Sequence, residues 1–244
     1  MAPSQEAIAV FNLQPRVEIQ RFANGQICIV VDDALVEPEK MLQFAVAQRQ
    51  QFRTSDANAY PGVMLALSDK FTASLGDFFS AHVRRHFDAR RTVHVHSRLS
   101  MVTLPPNALR PWQCICHRDP PAVDRRHSIQ GSVLYLFRDA TLGGTSFYEP
   151  SRNAAETSQL FEDANHLPDD LFWKKYNIDR GYLCGSNSWF TRVGEVAARW
   201  NRIIFYDAYG LHSGDIGAPE KLTDDPLTGR LTINGFFTSR RNVS

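Results

Sequence analysis

The chain has 244 residues, of which 43% are hydrophobic and 22% are charged, a composition typical of a globular protein with a full core. Its formal net charge of +1 at neutral pH excludes the strong electrostatic field expected for binding nucleic acid or an anionic membrane surface. The first residues lack the pattern of a signal peptide, and no apolar run can span a bilayer, so we expect a cytoplasmic protein.

The first 91 residues carry the patterns of both strands and helices. Residues 16–22 and 26–31 have the pattern of strands and flank an Asn-Gly pair, which is typical of a hairpin turn. A helix is predicted around residues 38–50, and apolar residues at helical spacing predict a second helix over residues 67–90. We expect these helices to pack on a sheet and to support the rest of the chain.

From residue 92 onward the apolar period changes to two, which predicts a series of short strands. The predicted strands are residues 92–104, 113–119, 132–137, 145–148, 202–207, 211–216 and 229–239. Residues 151–180 are polar and partly helical, and we interpret them as an insertion that can act as a lid. The predicted fold class is mostly β with flanking helices, a double-stranded β-helix or jelly-roll barrel. We expect a single domain over residues 1–244, with the barrel core in residues 92–244.

The first candidate for metal binding is the pattern His117-x-Asp119 in the second of these strands. Side chains at positions i and i+2 leave the same face of a strand, so one imidazole and one carboxylate can reach a single ion. A third ligand has to come from a strand distant in the sequence, and His212 follows an apolar strand and a turn. Two imidazoles and one carboxylate are the ligands of iron(II) sites that activate oxygen. We therefore predict a metal site at these three residues.

Other histidines compete with this site. His86 and Asp88 repeat the pattern, but they lie in the predicted helix, where positions i and i+2 point about 200° apart. We therefore interpret His86 as a surface residue. His94 and His96 share a strand face with no carboxylate nearby in the sequence, and a polar strand face is the favoured interpretation.

A zinc site is a further alternative, because Cys114 and Cys116 directly precede His117. A structural zinc ion would need two more ligands at short spacing, and the sequence offers none. The chain has four cysteines without a CxxC pair, and its length makes disulfide staples unnecessary. We expect reduced thiols.

The last predicted strand begins with a polar face formed by Arg230, Thr232 and Asn234, which alternate with mostly apolar residues. A 2-oxoglutarate co-substrate would bind iron through its keto acid end, and its far carboxylate would need a positive partner inside the barrel. Arginine suits this role because its planar fork matches a carboxylate. The alternative interpretation is an exposed arginine at a strand end.

The order of these parts resembles the 2-oxoglutarate- and Fe(II)-dependent dioxygenases, nearest to their prolyl-4-hydroxylase-like branch and to a bacterial subfamily without an assigned substrate. Each part is degenerate, and their fixed order is the specific feature. The parts are His117-x-Asp119, SVLYLF, Gly143-Gly144, RIIFYD, His212 and Arg230-x-Thr232.

The resemblance implies an enzyme that holds Fe(II) and 2-oxoglutarate, with ascorbate as an accessory reductant. The implied catalytic metal ligands are His117, Asp119 and His212. The implied residues for the co-substrate are Arg230, Thr232 and Tyr135. Because the carboxylate ligand is present, the implied reaction is hydroxylation rather than halogenation.

The chain departs from the branch in two places. The gap between His212 and Arg230 is long, which leaves Lys221 and Arg240 as alternative anchors, and residues 151–180 have no counterpart. Several aromatic residues either line the substrate entrance or form the packing face of a short helix. They are Trp112, Phe161, Phe172, Trp173 and Tyr176.

Two other functions remain open at this point. A cupin-like metal protein, acting as an isomerase or a sensor, would keep the histidines but would need no buried arginine. A barrel that has lost catalysis could serve as an interaction module. For the dioxygenase, the substrate is expected to be a small molecule or a peptide, and the sequence does not specify the oligomeric state.

Overall fold

The computed structural model describes residues 10–54, 60–119, 122 and 124–242, which contain ten strands and four α-helices. The strands are β1 (Val17–Arg21), β2 (Ile27–Val31), β3 (Gly62–Ala66), β4 (Arg91–Val102), β5 (His127–Tyr135), β6 (Thr145–Pro150), β7 (Phe190–Val196), β8 (Ile203–Asp207), β9 (Leu211–Gly214) and β10 (Arg230–Arg240). The helices are α1 (Pro38–Ala47), α2 (Asp69–Phe78), α3 (Ala154–His166) and α4 (Asp169–Tyr176). None of these helices has the length and apolarity that crossing a membrane requires.

The strands form two antiparallel sheets. The larger sheet has the order β1-β2-β8-β5-β10-β4-β3, and the smaller sheet has the order β7-β6-β9. An isolated antiparallel bridge joins His117 to His212 of β9, so the chain at His117 extends the smaller sheet to a fourth position. Two such sheets around a shared core form a double-stranded β-helix, which confirms the predicted fold class.

The central strands of the larger sheet are buried on both faces. In β2, Ile29 and Val31 pack in a core that includes side chains of α1 and α2, while Cys28 and Val30 pack in a second core with Phe147 of β6. This is the alternation of period two that a strand imposes on its side chains. A third core joins the smaller sheet to α3 and α4. The order of the layers is therefore helices, larger sheet, smaller sheet, helices.

The second predicted helix ends earlier than its apolar spacing suggests. Ser68 caps its start by accepting a hydrogen bond from the N–H of Phe71 at 3.2 Å. After α2, the chain forms a π-helical segment (Phe79–Val83) and a 3-10 turn (Arg84–His86). Phe79 and Val83 stay buried in the helix-side core, so a helix that widens locally satisfies the same apolar pattern.

The strands predicted from the sequence differ from the structure in three segments, namely β3, β7 and residues 113–119. The sequence does not predict β3 and β7, whose apolar residues do not alternate in a regular way. Residues 113–119 are not a regular strand, because a 3-10 turn (Pro111–Gln113) leads into the bridge at His117. Residues 151–180, predicted to be partly helical, contain α3 and α4.

Candidate metal centre

His117 and His212 face each other across the backbone bridge. The N–H of each residue donates to the carbonyl oxygen of the other at 2.9 Å. Residues that are directly opposite in an antiparallel pair place their side chains on the same face, and the two ring centroids are 4.5 Å apart. The N–H of Asp119 donates to the carbonyl oxygen of Ala208 at 2.9 Å. Backbone hydrogen bonds therefore position all three predicted ligands.

The three side chains converge on one point. His117, Asp119 and His212 each offer a ligand atom within 4.8 Å of the other two. Nε2 of His212 is 3.5 Å from Oδ2 of Asp119. Within the described ranges this is the one such group of His, Cys, Asp or Glu residues. The zinc alternative with Cys114 and Cys116 has no comparable geometry there.

The ring of His212 has one nitrogen engaged and the other available to a ligand. Its Nδ1 lies 2.9 Å from the carbonyl oxygen of Gly210, to which Nδ1–H donates, so Nε2 carries the lone pair. Burial lowers the pKa of His212 to about 4, against a smaller opposing effect of the Gly210 carbonyl. The ring is therefore neutral at neutral pH, which is the state that binds a metal.

His117 is neutral for the same reason, although its surroundings differ. Burial and, to a smaller extent, the neighbouring His212 lower the pKa of His117. Its side chain is nevertheless accessible from the cavity described below, whereas the side chain of His212 is only 6% exposed. The neighbouring Asp119 raises the pKa of His117 in part, and the ring remains neutral at neutral pH.

Asp119 supplies the negative charge of the group. Its side chain is 11% exposed, and Oδ2 is buried with no hydrogen-bond partner among the described residues. Burial raises the pKa of Asp119, and the nearby His117 and Arg98 lower it in part. A buried carboxylate oxygen without a partner is costly, and a cation bound there removes that cost. Two neutral imidazoles and this carboxylate fit a divalent iron ion.

A cavity of about 700 Å³ opens beside the three ligands. Arg230 and Thr232, at the start of β10, and Arg98, in β4, are among the residues that line it. This volume suits a site for small molecules. The predicted metal ligands and the predicted anchor for the co-substrate therefore share one cavity.

Arg230 is buried, with 5% of its surface exposed. Its Nε donates to the carbonyl oxygens of Leu142 and Gly143 at 3.0 and 3.2 Å, and its Nη2 donates to that of Gly144 at 2.8 Å. The guanidinium carbon also lies 5.7 Å from the ring centroid of Phe137. No carboxylate of the described residues is among its partners. A buried cation in this state favours an anionic ligand.

The Gly143-Gly144 turn explains how three carbonyl groups reach one guanidinium. Gly143 has a φ of +86°, and a Cβ added there would lie 1.8 Å from the carbonyl oxygen of Asp215. A Cβ at Gly144 would lie 2.0 Å from the carbonyl oxygen of Val196. Both positions therefore require glycine. The Gly143-Gly144 motif thus allows the turn that points three carbonyl groups at the guanidinium of Arg230.

Thr232 and Tyr135 occupy different positions relative to the cavity. Thr232 lines it, and its hydroxyl donates to Oδ1 of Asn234 at 2.8 Å. Tyr135 is fully buried, and its hydroxyl shares a hydrogen bond of 2.8 Å with the hydroxyl of Thr145, which lines the cavity. The contact of Tyr135 with the co-substrate stays a prediction. Of the hydrogen-bonded pair Tyr135 and Thr145, Thr145 is the residue that lines the cavity.

The competing residues from the sequence do not belong to the group of three ligands. Lys221 is exposed and pairs with an aspartate at 3.0 Å, and Arg240 is exposed at the end of β10. His86 lies in the 3-10 turn after α2 and is half-buried rather than fully exposed. His94 and His96 are exposed on one face of β4, and His96 reaches the cavity.

The aromatic residues near the insertion divide into two sets. Trp112 and Phe161 line the cavity and also pack against the third core. Phe172 and Tyr176 are buried in that core, with Trp173 packed against it. Packing therefore accounts for all five aromatic residues, and two of them line the cavity as well.

Two lining residues escaped the sequence analysis. The ring centroid of Tyr206 lies 4.6 Å from that of His212. The Tyr206 ring fits there because Gly131 has no side chain, and a Cβ at Gly131 would lie 2.8 Å from the ring. Arg98 lies two residues after His96 on the same face of β4. That alternation was the pattern that could have revealed Arg98.

Comparisons with known proteins place the chain by family and by fold. A family model described as "Family of unknown function (DUF6445)" matches residues 13–237. No curated protein sequence matches the chain. The family match spans most of the chain, including every candidate site residue.

Among solved structures, the non-heme alpha ketoglutarate dependent carbocyclase SnoK from nogalamycin biosynthesis is 13% identical, with a TM-score of 0.51 over 87% of this chain and 79% of its own. A Pseudomonas putida prolyl-4-hydroxylase is 12% identical, with a TM-score of 0.43 over 84% and 88%. HygX from Streptomyces hygroscopicus, solved with nickel and 2-oxoglutarate, is 8% identical, with a TM-score of 0.44 over 88% and 83%. The likeness to SnoK shows the fold alone. The other two structures have lower TM-scores and add nothing to it.

Proposed function

This chain belongs to the DUF6445 family, a family of unknown function, and we propose that it is an Fe(II)- and 2-oxoglutarate-dependent dioxygenase that hydroxylates a small molecule or a peptide. One observation carries the proposal. The neutral imidazoles of His117 and His212 and the carboxylate of Asp119 converge at one cavity. The same cavity is lined by Arg230, a buried arginine that pairs with carbonyl groups and with no described carboxylate.

Each residue of the cavity has a defined task in this proposal. His117, Asp119 and His212 would hold the metal, and the Gly210 carbonyl keeps the ring of His212 in the required tautomer. Arg230 would neutralise the far carboxylate of 2-oxoglutarate. When bound, Fe(II) and 2-oxoglutarate supply the activation of dioxygen, with succinate and CO₂ as the products of the co-substrate.

The buried arginine distinguishes this proposal from the cupin-like alternative. A metal-dependent isomerase or sensor would need the three metal ligands only. Arg230 lies against β9, the strand that carries His212, because a Cβ added at Gly214 would be 3.6 Å from its Nη2. An anion held by Arg230 would therefore sit near the metal ligands, as a co-substrate must.

The test measures binding before turnover. Protein loaded with Mn(II), a redox-inert substitute for Fe(II), is titrated with 2-oxoglutarate by calorimetry. Fe(II), 2-oxoglutarate and ascorbate are then supplied in air, and succinate is measured with and without candidate substrates. We expect metal-dependent binding of 2-oxoglutarate and succinate formation that both His117→Ala and His212→Ala abolish.

Two exposed residues outside the proposed site provide matched controls. His94→Ala removes an exposed imidazole on β4, and Arg240→Gln removes an exposed guanidinium on β10. Both variants should bind metal and 2-oxoglutarate like the native protein. Metal binding without 2-oxoglutarate binding would favour the cupin-like function, and failure to bind either would favour an interaction module.

A further inference from the structure

Arg98 is a second cation in the cavity, and Asp119, the acidic residue among the described lining residues, interacts with its charge without forming an ion pair. It lies in β4, is half-buried and lines the cavity. No carboxylate of the described residues lies within ion-pair distance of its guanidinium, and its Nε is buried with no hydrogen-bond partner among them. Withdrawing a guanidinium N–H from water without a replacement is costly, so this edge of the side chain favours an acceptor from a ligand.

The neighbours of Arg98 lie on β10 and line the cavity with it. Its guanidinium carbon lies 5.3 Å from the ring centroid of Phe236. Asn234 is directly opposite Arg98 in the β4–β10 register, and its Oδ1 accepts a hydrogen bond from Thr232. The amide N–H groups of Asn234 are therefore its remaining polar atoms. Arg98, Asn234 and Phe236, which we call the Arg98 patch, all line the cavity.

The charges of the cavity leave a positive excess after the co-substrate binds. Asp119 is the one acidic side chain among the described lining residues. With a divalent metal, the cavity would hold three net positive charges from the metal, Asp119, Arg98 and Arg230. The two carboxylates of 2-oxoglutarate neutralise two of them, and one positive charge remains. The exposed Arg118 at the cavity has the same sign.

We infer that the Arg98 patch binds an anionic group of the substrate, and that the substrate is a small carboxylic acid with an apolar body. This inference rests on the proposed function, because it assigns Arg230 to the co-substrate and Arg98 to the substrate. Arginine and an amide N–H form charge-assisted hydrogen bonds with a carboxylate. Trp112, Phe161 and Ile115 supply apolar walls in the same cavity, which suit the remainder of such a molecule.

The test compares carboxylates with their neutral amides. Native protein is loaded with Mn(II) and saturating 2-oxoglutarate, and phenylacetate and hexanoate are compared with phenylacetamide and hexanamide. The readout is the relaxation enhancement that Mn(II) causes in the proton NMR signals of each probe near the metal. We expect the carboxylates to bind about tenfold more tightly than the amides, since a hydrogen bond to a charged group contributes about that factor.

Variants assign the preference to Arg98. Arg98→Gln should remove the difference between carboxylate and amide, and its effect on 2-oxoglutarate affinity should be at least about tenfold smaller than that of Arg230→Gln. Arg91→Gln, an exposed arginine at the start of the same strand, should keep the full difference. If Arg98→Gln fails to fold, Arg98→Lys, which retains the charge without the fork, should reduce the preference partially.

Each contrary result has a distinct meaning. Equal binding of carboxylates and amides by native protein that binds Mn(II) and 2-oxoglutarate would overturn this inference and leave the proposed function intact. Loss of 2-oxoglutarate binding in Arg98→Gln but not in Arg230→Gln would make Arg98 the co-substrate anchor and would also overturn it. Native protein that binds neither Mn(II) nor 2-oxoglutarate would reject both the inference and the proposed function.

Discussion

The metal centre and the helical hairpin formed by α3 and α4 are held in place by different interactions. At the centre, backbone hydrogen bonds fix His117, Asp119 and His212. In the hairpin, no described backbone-to-backbone hydrogen bond joins α3 or α4 to the barrel. The two helices are held by apolar packing against the smaller sheet, by a hydrogen bond from Nε1 of Trp189 to the carbonyl oxygen of Tyr176, and by an ion pair between Arg110 and Asp169. The chemistry therefore depends on rigid main-chain geometry, while the wall of the cavity near the hairpin can change without disturbing it.

The largest effect should follow from removing a metal ligand. We expect His212→Ala to weaken metal binding by more than about 100-fold, since loss of an indirect partner of a metal ligand already costs 10 to 100-fold. Calorimetry with Mn(II) measures this. An equally large loss in Phe161→Ala, which alters the hairpin, would contradict the separation of the two regions.

Acid should distinguish the two regions through their pKa values. The pKa of His212 is about 4 in the folded chain and about 6.5 when unfolded. Above pH 6.5 both states are neutral there; as the pH falls toward 4, only the unfolded imidazole gains a proton, so stability falls. The loss is up to about 3 kcal/mol for His212 in metal-free protein. Asp119 opposes this loss of stability in part, because burial raises its pKa and the folded state therefore takes up a proton there more readily than the unfolded state.

The hairpin should respond to acid in a lower range. Hydrogen bonds from Lys175 and Tyr176 lower the pKa of Asp163 to about 2. Its contribution to stability is present above pH 3.8 and is lost as the pH falls toward 2. Urea unfolding of metal-free protein from pH 7 to 2 measures both ranges. His212→Gln should reduce the slope in the upper range only, and His117, whose pKa burial also lowers, should account for the slope that remains. An unchanged slope between pH 6.5 and 4 in that variant would show that His212 is not the source.

Removing the anchor should affect the co-substrate and spare the metal. We expect Arg230→Gln to weaken 2-oxoglutarate binding by about 30-fold, because it removes a charge-assisted hydrogen bond in a buried site. Mn(II) affinity in the absence of 2-oxoglutarate should stay within about twofold, since Arg230 is not a metal ligand. Calorimetry with each ligand separately checks the two expectations, and loss of both together would indicate a folding defect instead.

The smallest effect should come from the hairpin wall. Phe161 lines the cavity from α3, and Phe161→Ala should weaken the binding of apolar probes such as hexanoate by about threefold to tenfold, the usual effect of lost apolar contact. Binding of Mn(II) and 2-oxoglutarate should not change. Leu171→Ala, which is exposed on α4, is the control and should change none of these.

The sequence predicts those parts of the centre that depend on strand geometry. The i, i+2 rule found His117 and Asp119, although the chain around them is a bridge rather than a full strand. It also placed Arg230 and Thr232 on one face, because β10 is long and regular. The alternation along β4 puts Arg98 on the face of His96, but only packing between strands shows that this face lines the cavity.

In the first half of the chain, too, the sequence pattern does not reveal features that depend on tertiary packing. The apolar spacing of residues 67–90 does not reveal where a helix widens into the segment Phe79–Val83, since burial of the same side chains is compatible with both forms. The interpretation of the insertion also needed the structure. Both Phe161 and Phe172 belong to the packing of the third core, and only the tertiary structure shows that Phe161 also reaches the cavity.

The three carbonyl groups that hold Arg230 come from a turn in which two glycines allow no other residue. A guanidinium fixed in this way cannot follow a ligand that is longer or shorter. In the proposed enzyme, the separation between this charge and the metal ligands therefore selects the length of the diacid. A keto diacid with one carbon fewer or one more than 2-oxoglutarate could satisfy one end of the site but not both.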